Sequence, residues 1–124
     1  MNMRLLLIDD DAALLDLLTE VFETEGYHVT AVAEVKDLAG LLESSRPDLI
    51  ITDYYLKNDC NGRDLCCQIR RLALFAELPI IMLSAWPKAK SAWESKLCQV
   101  LVSKPFDVWE LLACTGELIR LRQT

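Results

Sequence analysis

Apolar residues in this chain follow two alternating patterns, short unbroken runs and longer stretches with helical spacing. Residues 5–8 form an unbroken run, which predicts a strand covered on both faces. Apolar positions then recur at helical spacing over residues 14–22, and Gly26 provides a natural helix end. Residues 27–32 contain several β-branched side chains and predict a second strand, and residues 35–42 return to the helical period. The first part of the chain therefore predicts a strand–helix–strand–helix order.

The same alternation continues to the end of the chain. Three further runs predict strands, at residues 49–51, 80–83 and 100–102. Helical spacing returns in three segments and is weak in the second of them, at residues 65–72, 86–97 and 111–119. The strongest loop signals lie at residues 57–62. Five strands alternating with about five helices predict an α/β fold, a doubly wound five-stranded parallel sheet with helices on both faces.

Composition narrows the possible functions. A length of 124 residues suits one domain, so we expect a single domain over residues 1–124 with no output domain. The net charge of −6 argues against direct nucleic-acid binding, which depends on Lys and Arg. No run reaches the eighteen or so apolar residues of a membrane span, so we expect no membrane insertion. Five cysteines, an odd number without metal-ligand spacing, favour a reduced, cytoplasmic protein.

Polar side chains suited to phosphate or metal chemistry follow four of the five predicted strands. They are Asp9 and Asp10, Asp53, Ser84, and Lys104. Ligands of open parallel sheets bind beyond the carboxyl ends of the strands, so we expect these residues to lie together. Three neighbouring carboxylates would repel one another unless a cation lies among them, and oxygen ligands suit Mg²⁺ or Mn²⁺. One carboxylate could also attack phosphorus as a nucleophile.

Four segments in this order, LLLIDDD, IITDYYL, PIIMLSA and SKPF, resemble the receiver domains of two-component response regulators. The resemblance covers nearly the whole chain and implies the flavodoxin-like (βα)5 receiver fold. It also implies that Asp53 is the phosphoacceptor and that Asp9, Asp10 and Asp53 bind Mg²⁺ with the main-chain carbonyl of Tyr55. Ser84 would then be the switch hydroxyl, and Lys104 would pair with the phosphoryl group.

The resemblance further implies a histidine kinase or a histidine phosphotransfer protein as the phosphodonor, with an output partner that the sequence does not identify. The protein would assist its own phosphorylation and slow dephosphorylation, so we do not class it as an enzyme. The Lys104–Pro105 bond is expected to be cis. The oligomeric state stays open, a homodimer included. The chain could be a stand-alone regulator or a receiver excised from a longer regulator or hybrid kinase.

Residue 101 departs from the usual receiver pattern, and two bulky residues lie close in sequence to the expected site residues. Leu101 replaces the aromatic residue that usually moves together with the switch hydroxyl, which puts this part of the switch in doubt. Tyr55 and Trp86 lie two positions after Asp53 and Ser84. We expect both bulky side chains to flank the phosphoryl group, to hinder water and to prolong the phosphorylated state.

Other interpretations stay open at this point. A degenerate receiver could act as a phosphorylation-independent interaction module, which Leu101 favours. A Mg²⁺-dependent phosphohydrolase is a further alternative, although Asp53 does not begin a DxD motif. Asp11 is expected to cap a helix, and His28 to be structural. Trp93 and Trp109 could equally mark a partner surface or pack near the core.

Overall fold

The structure, a computed structural model, describes residues 3–56, 61–85 and 97–123. Its strands are β1 (Arg4–Ile8), β2 (His28–Val32), β3 (Leu49–Asp53), β4 (Ile80–Ser84) and β5 (Val100–Ser103). The helices of the described ranges are α1 (Ala12–Thr24), α2 (Leu38–Ser45), α3 (Gly62–Arg71) and α4 (Val108–Gln123). A 3-10 turn, Ala73–Phe75, follows α3. The weak helix predicted at residues 86–97 and most of the predicted loop at residues 57–62 lie outside the described residues.

The five strands form one parallel sheet in the order β2-β1-β3-β4-β5, which confirms the predicted doubly wound fold. The chain moves outward from β1 to β2 and then crosses to the other side of β1 to form β3. The strand order therefore reverses between β1 and β3, and the crevice at such a point is where open α/β sheets bind ligands.

The unbroken apolar runs form strands because both faces of the sheet are covered. On one face, alternate residues of the central strands pack against α2 and α3 through Leu42, Leu65 and Ile69. On the other face, the intervening residues pack against α1 and α4 through Phe22 and Leu111. Strand β3 is buried along its whole length, as is β4.

Short polar side chains cap the helices that begin at the carboxyl-terminal edge of the sheet. Asp11 accepts a hydrogen bond from the Leu14 N–H and begins α1, as predicted. Asp37 and Asn61 cap α2 and α3 in the same way. At the other end of α1, Gly26 adopts a φ of 97°, which a residue with a side chain rarely adopts. No helix in the described ranges is both long enough and apolar enough to cross a bilayer.

Candidate phosphoacceptor and metal site

Three carboxylates meet where β1 and β3 end. Asp9 and Asp10 directly follow β1, and Asp53 is the last residue of β3. One oxygen atom from each of the three side chains lies within 4.8 Å of the others. Asp9 and Asp53 are buried, with 2% and 8% of their surface exposed, whereas Asp10 is exposed. The pocket is therefore acidic and opens to solvent on the Asp10 side.

Lys104 is the cation that the described structure places in this pocket. Its Nζ atom lies 3.3 Å from Oδ2 of Asp9 and 3.3 Å from Oδ1 of Asp53. The side chain reaches the pocket because Lys104 directly follows β5, whose last residues run beside β4. One ammonium group faces three carboxylates, so the pocket keeps an excess of negative charge.

Backbone N–H groups fix the orientation of two carboxylates. Oδ1 of Asp9 accepts a hydrogen bond of 2.9 Å from the N–H of Asp11. Oδ1 of Asp53 accepts a bond of 3.0 Å from the N–H of Tyr54. Hydrogen bonds to charged acceptors are stronger than neutral ones, so these bonds hold the carboxylates in place without a ligand.

The electrostatics match this geometry. Burial, and then the charge of Asp9, raise the pKa of Asp53 above its usual value, and Lys104 offsets only part of the rise. Burial alone would lower the pKa of Lys104, but the charges of Asp53 and Asp9 outweigh it and raise the pKa. Lys104 thus holds its proton, and its one positive charge is shared between two carboxylates. A second cation in the pocket would relieve the remaining repulsion.

The donor set fits Mg²⁺. All three side chains offer oxygen atoms, which hard divalent ions prefer, and the exposed side of the pocket leaves room for the waters that Mg²⁺ retains. All three ligands are carboxylates, whereas softer metals prefer thiolate or imidazole ligands.

Ser84 and Tyr55 lie at the same edge of the sheet. Ser84 is the last residue of β4 and is 4% exposed, and its carbonyl accepts a 2.8 Å hydrogen bond from the Lys104 N–H. The Lys104–Pro105 bond after it is cis, as predicted. Tyr55 follows β3 by two residues and forms an isolated bridge with Asn61, and its side chain is half exposed. The roles assigned to Ser84 and to the Tyr55 carbonyl stay predictions.

The other singled-out residues have simpler positions. Trp109 is 71% exposed on α4, so it does not pack in the core, and His28 is an exposed residue at the start of β2. Leu101 is half-buried and packs against the core on the α3 side of the sheet. Trp86 and Trp93 lie outside the described residues. The described cysteines, Cys66, Cys67, Cys98 and Cys114, are free thiols.

An apolar groove that was not predicted from the sequence lies beside the pocket. It has a volume of about 480 Å³ and lies between α1 and the segment after β5. Its apolar lining consists of Leu14, Leu17, Ala85, Pro105, Phe106 and Val108. Leu17 is 48% exposed on an otherwise amphipathic helix. An apolar residue outside the buried face of a helix is the sequence signal that could have indicated this groove.

One family model and several known proteins are similar to this chain in sequence. The family model of the response regulator receiver domain matches residues 5–115. The DNA-binding dual master transcriptional regulator RpaA of Synechocystis sp. is 37% identical over 121 residues, covering 94% of this chain and 49% of that protein. Sporulation initiation phosphotransferase F of Bacillus subtilis is 30% identical over 125 residues, covering 98% of each protein. The chain thus spans about half of the DNA-binding relative and nearly all of the phosphotransferase.

Solved structures agree with the fold. A response regulator structure from Chloroflexus aurantiacus has a TM-score of 0.84 and 29% identity, covering 96% of this chain and 99% of that chain. A CheY-like receiver domain protein from Methanospirillum hungatei has a TM-score of 0.88, covering 99% of this chain and 98% of that chain. Its 23% identity supports the fold alone.

Proposed function

This chain belongs to the family of response regulator receiver domains of two-component systems, and we propose that its Asp53 accepts a phosphoryl group from a phosphohistidine donor. The observation that carries the proposal is the pocket itself. A buried carboxylate at the end of β3 lies with two further carboxylates and 3.3 Å from a lysine ammonium group. Receiver domains are signalling modules, so the proposed outcome is a change in affinity for a partner.

The chemical step assigns a role to each residue. An Asp53 oxygen attacks the phosphorus atom, the O–P bond forms, and the P–N bond to the donor imidazole breaks. The imidazole nitrogen takes up a proton as it leaves. Lys104, already beside Asp53, supplies positive charge to the phosphoryl oxygens, and Ser84 is assigned a hydroxyl donor role. Tyr54 donates its N–H to Asp53 and keeps the carboxylate oriented.

Mg²⁺ would be held by Asp9, Asp10 and Asp53, with the Tyr55 carbonyl as a further ligand. When bound, the ion supplies positive charge that stabilises the phosphoryl group in transfer. Asp9 is buried, as Asp53 is, and is oriented by the Asp11 N–H. Asp10 is exposed and faces the side from which a hydrated ion would enter.

The proposed donor is a histidine kinase or a histidine phosphotransfer protein. The apolar groove between α1 and the segment after β5 borders Lys104, so a partner seated there would place its histidine near Asp53. A relative that is named a phosphotransferase matches this chain over 98% of its length, which supports phosphoryl transfer as the core activity. DNA binding is not proposed for this chain, because the DNA-binding relative is about twice as long.

Phosphoryl uptake by the purified protein tests the proposal. With Mg²⁺ and acetyl phosphate, intact-mass measurement should show one added phosphoryl group on the wild type and none on Asp53→Asn. Asp37→Asn is the matched control, because it also converts a carboxylate to an amide and Asn caps a helix as well as Asp. No uptake by the wild type from acetyl phosphate or a phosphohistidine donor would refute the proposal.

One observation supports a second candidate function. Leu101 is half-buried and packs against the core at the position where a receiver usually carries a mobile aromatic residue, so the usual coupling between pocket and surface lacks one part. A phosphorylation-independent interaction module would bind its partner equally well as wild type and as Asp53→Ala. Beryllofluoride is a mimic of the phosphoryl group. If it changes the partner affinity of the wild type and not that of Asp53→Ala, the module is phosphorylation-dependent.

A further inference from the structure

The guanidinium group of Arg70 connects three segments far from the acidic pocket. Arg70 lies in the last turn of α3. Its Nη1 atom donates to the Leu78 carbonyl at 2.7 Å and the Phe75 carbonyl at 3.4 Å. Its Nη2 atom donates to the Leu97 carbonyl at 2.9 Å and to Oε1 of Gln99 at 3.1 Å. One side chain therefore joins α3 to the segments that lead into β4 and β5.

Gln99 extends this connection to the first residue of β4. Its Oε1 atom accepts a 2.7 Å hydrogen bond from the Ile80 N–H, and its own N–H donates to the Ile80 carbonyl at 2.9 Å. Both main-chain groups of Ile80 are thus bonded to one residue. The alignment of β5 against β4 is fixed at the point where the ladder begins.

Strand β5 is paired on one side in the described sheet, so its register depends on β4, on the packing of its own side chains and on this device at its start. It is an edge strand with β4 as its neighbour, and its side chains are half-buried or exposed. Its ladder ends at the Ser84–Ser103 pair, directly before Lys104. A slip of one residue would turn every β5 side chain to the other face and withdraw the Lys104 ammonium group from Asp53.

The chemistry of the Arg70 contacts favours a geometric role. All four acceptors are uncharged oxygens, so the half-buried cation is stabilised by hydrogen bonds without a carboxylate among them. Arginine offers a rigid fork of donors that can hold four acceptors in fixed directions, whereas lysine offers one point charge. Arg70 therefore connects fixed backbone positions, which is what a register requires.

We propose that Arg70 and Gln99 are positioning residues, a clamp at the start of β5 that sets its register and so places Lys104 beside Asp53. The inference rests on the proposed function, since the clamp acts on phosphoryl transfer through Lys104. The metal ligands lie at the ends of β1 and β3, and none of the clamp hydrogen bonds described above reaches either strand. Loss of the clamp should therefore slow phosphoryl uptake while Mg²⁺ binding stays intact.

The first experiment compares Arg70→Met with Arg71→Met, which removes an exposed arginine from the neighbouring position of the same helix. The rate of uptake from acetyl phosphate should fall about tenfold or more in Arg70→Met, since small displacements of a catalytic group have effects of this size. Mg²⁺ affinity should not weaken, and Arg71→Met should match the wild type in both. A wild-type uptake rate in Arg70→Met, or a parallel loss of Mg²⁺ affinity, would overturn the inference.

The second experiment tests whether the clamp acts through Lys104. Adding Arg70→Met to Lys104→Met should cause no further loss of uptake, whereas independent effects would multiply and overturn the inference. If Arg70→Met does not fold, Gln99 carries the test. Gln99→Glu keeps the acceptor oxygens and should take up the phosphoryl group at the wild-type rate. Gln99→Leu removes the acceptor and should be slower. Equal uptake rates in the two variants would again overturn the inference. A wild type that takes up no phosphoryl group would instead refute the proposed function of Asp53.

Discussion

Gly62 approaches Asp53 so closely that a Cβ atom on Gly62 would lie 2.8 Å from the main-chain oxygen of Asp53. The same atom would lie 3.1 Å from Cα of Tyr54, and the Gly62 N–H donates to the Tyr54 carbonyl. The first turn of α3 is therefore packed directly on the backbone that carries the proposed phosphoacceptor. Because both neighbours are backbone atoms, they cannot move aside as a flexible side chain could.

Gly62→Ala should consequently destabilise the fold and disturb the site. We expect a loss of roughly 1–3 kcal/mol in the free energy of unfolding, the usual range for overpacking, together with slower phosphoryl uptake. Urea denaturation followed by circular dichroism measures the first effect, and intact mass against time measures the second.

Gly116→Ala is the matched control. Gly116 lies inside α4, and an added Cβ atom would have its nearest neighbour, the Tyr27 hydroxyl, at 3.9 Å. Alanine should raise stability there by about 0.5–1 kcal/mol because it favours the helix. Equal stabilities of the two alanine variants would contradict the close-packing argument.

The fold and the composition of the pocket could be predicted because they depend on local patterns. Unbroken apolar runs such as residues 49–51 require cover on both faces, and the alternation with helices requires parallel crossovers. In a parallel sheet all carboxyl ends meet at one edge, which brings Asp9, Asp53 and Lys104 together although the first and the last are 95 positions apart.

Other features could not be predicted, for physical reasons. Arg70 bonds to carbonyl groups, and every residue carries one, so the acceptors leave no signature in the sequence. The close approach of Gly62 depends on how α3 lies over β3, which is a property of tertiary packing. Trp109 was equally compatible with core and surface, because a single aromatic residue on a weakly amphipathic helix does not define a face.

Replacing the acidic group at the centre of the pocket should stabilise the metal-free protein. Burial and the charge of Asp9 raise the pKa of Asp53, so the folded protein binds this proton more tightly than the unfolded chain. Stability therefore falls as pH rises from near 3.8 through the raised folded pKa. Asp53→Asn removes this effect and should be more stable than the wild type at pH 7, with a smaller difference at about pH 4, close to the ordinary pKa of 3.8.

Urea denaturation in the presence of a chelator measures this difference at both pH values. Adding Mg²⁺ should then stabilise the wild type far more than Asp53→Asn, because binding to the folded state alone raises its stability. Asp37→Asn should follow the wild type under each condition. A less stable Asp53→Asn at pH 7 without metal would show that the carboxylate is favourably placed, contrary to the repulsion inferred from the pocket.

The thiol of Cys66 should be unreactive in the folded protein. Burial raises its pKa to about 12, and the side chain is fully buried in the core on the α3 side of the sheet. At pH 8 iodoacetamide should therefore modify the partly exposed neighbour Cys67 much faster, since the thiolate is the reactive form. Fragmentation mass spectrometry of the shared peptide distinguishes the two sites, and urea should remove the difference. Comparable native labelling of both would contradict the burial of Cys66.

The lifetime of the phosphorylated state should depend on the side chain of Tyr55. Its ring is half exposed and packs edge-to-face against the buried Tyr54, with ring centroids 5.0 Å apart. Tyr54 thereby restricts where the Tyr55 ring can go, next to the backbone of the proposed phosphoacceptor. If the ring excludes water, the phosphoryl group on Asp53 should be hydrolysed about tenfold faster in Tyr55→Asn than in the wild type. This corresponds to an activation barrier lower by about 1.4 kcal/mol.

Tyr55→Phe separates the bulk of the ring from its hydroxyl group. It keeps the edge-to-face contact with Tyr54 and should keep the wild-type lifetime, because shielding depends on volume. Decay is followed by intact mass after the phosphodonor is removed, at one fixed Mg²⁺ concentration. If Tyr55→Phe decayed as fast as Tyr55→Asn, the hydroxyl would be the active feature, acting through a hydrogen bond to the water or to the phosphoryl group. If neither variant decayed faster than the wild type, the ring would not shield the phosphoryl group.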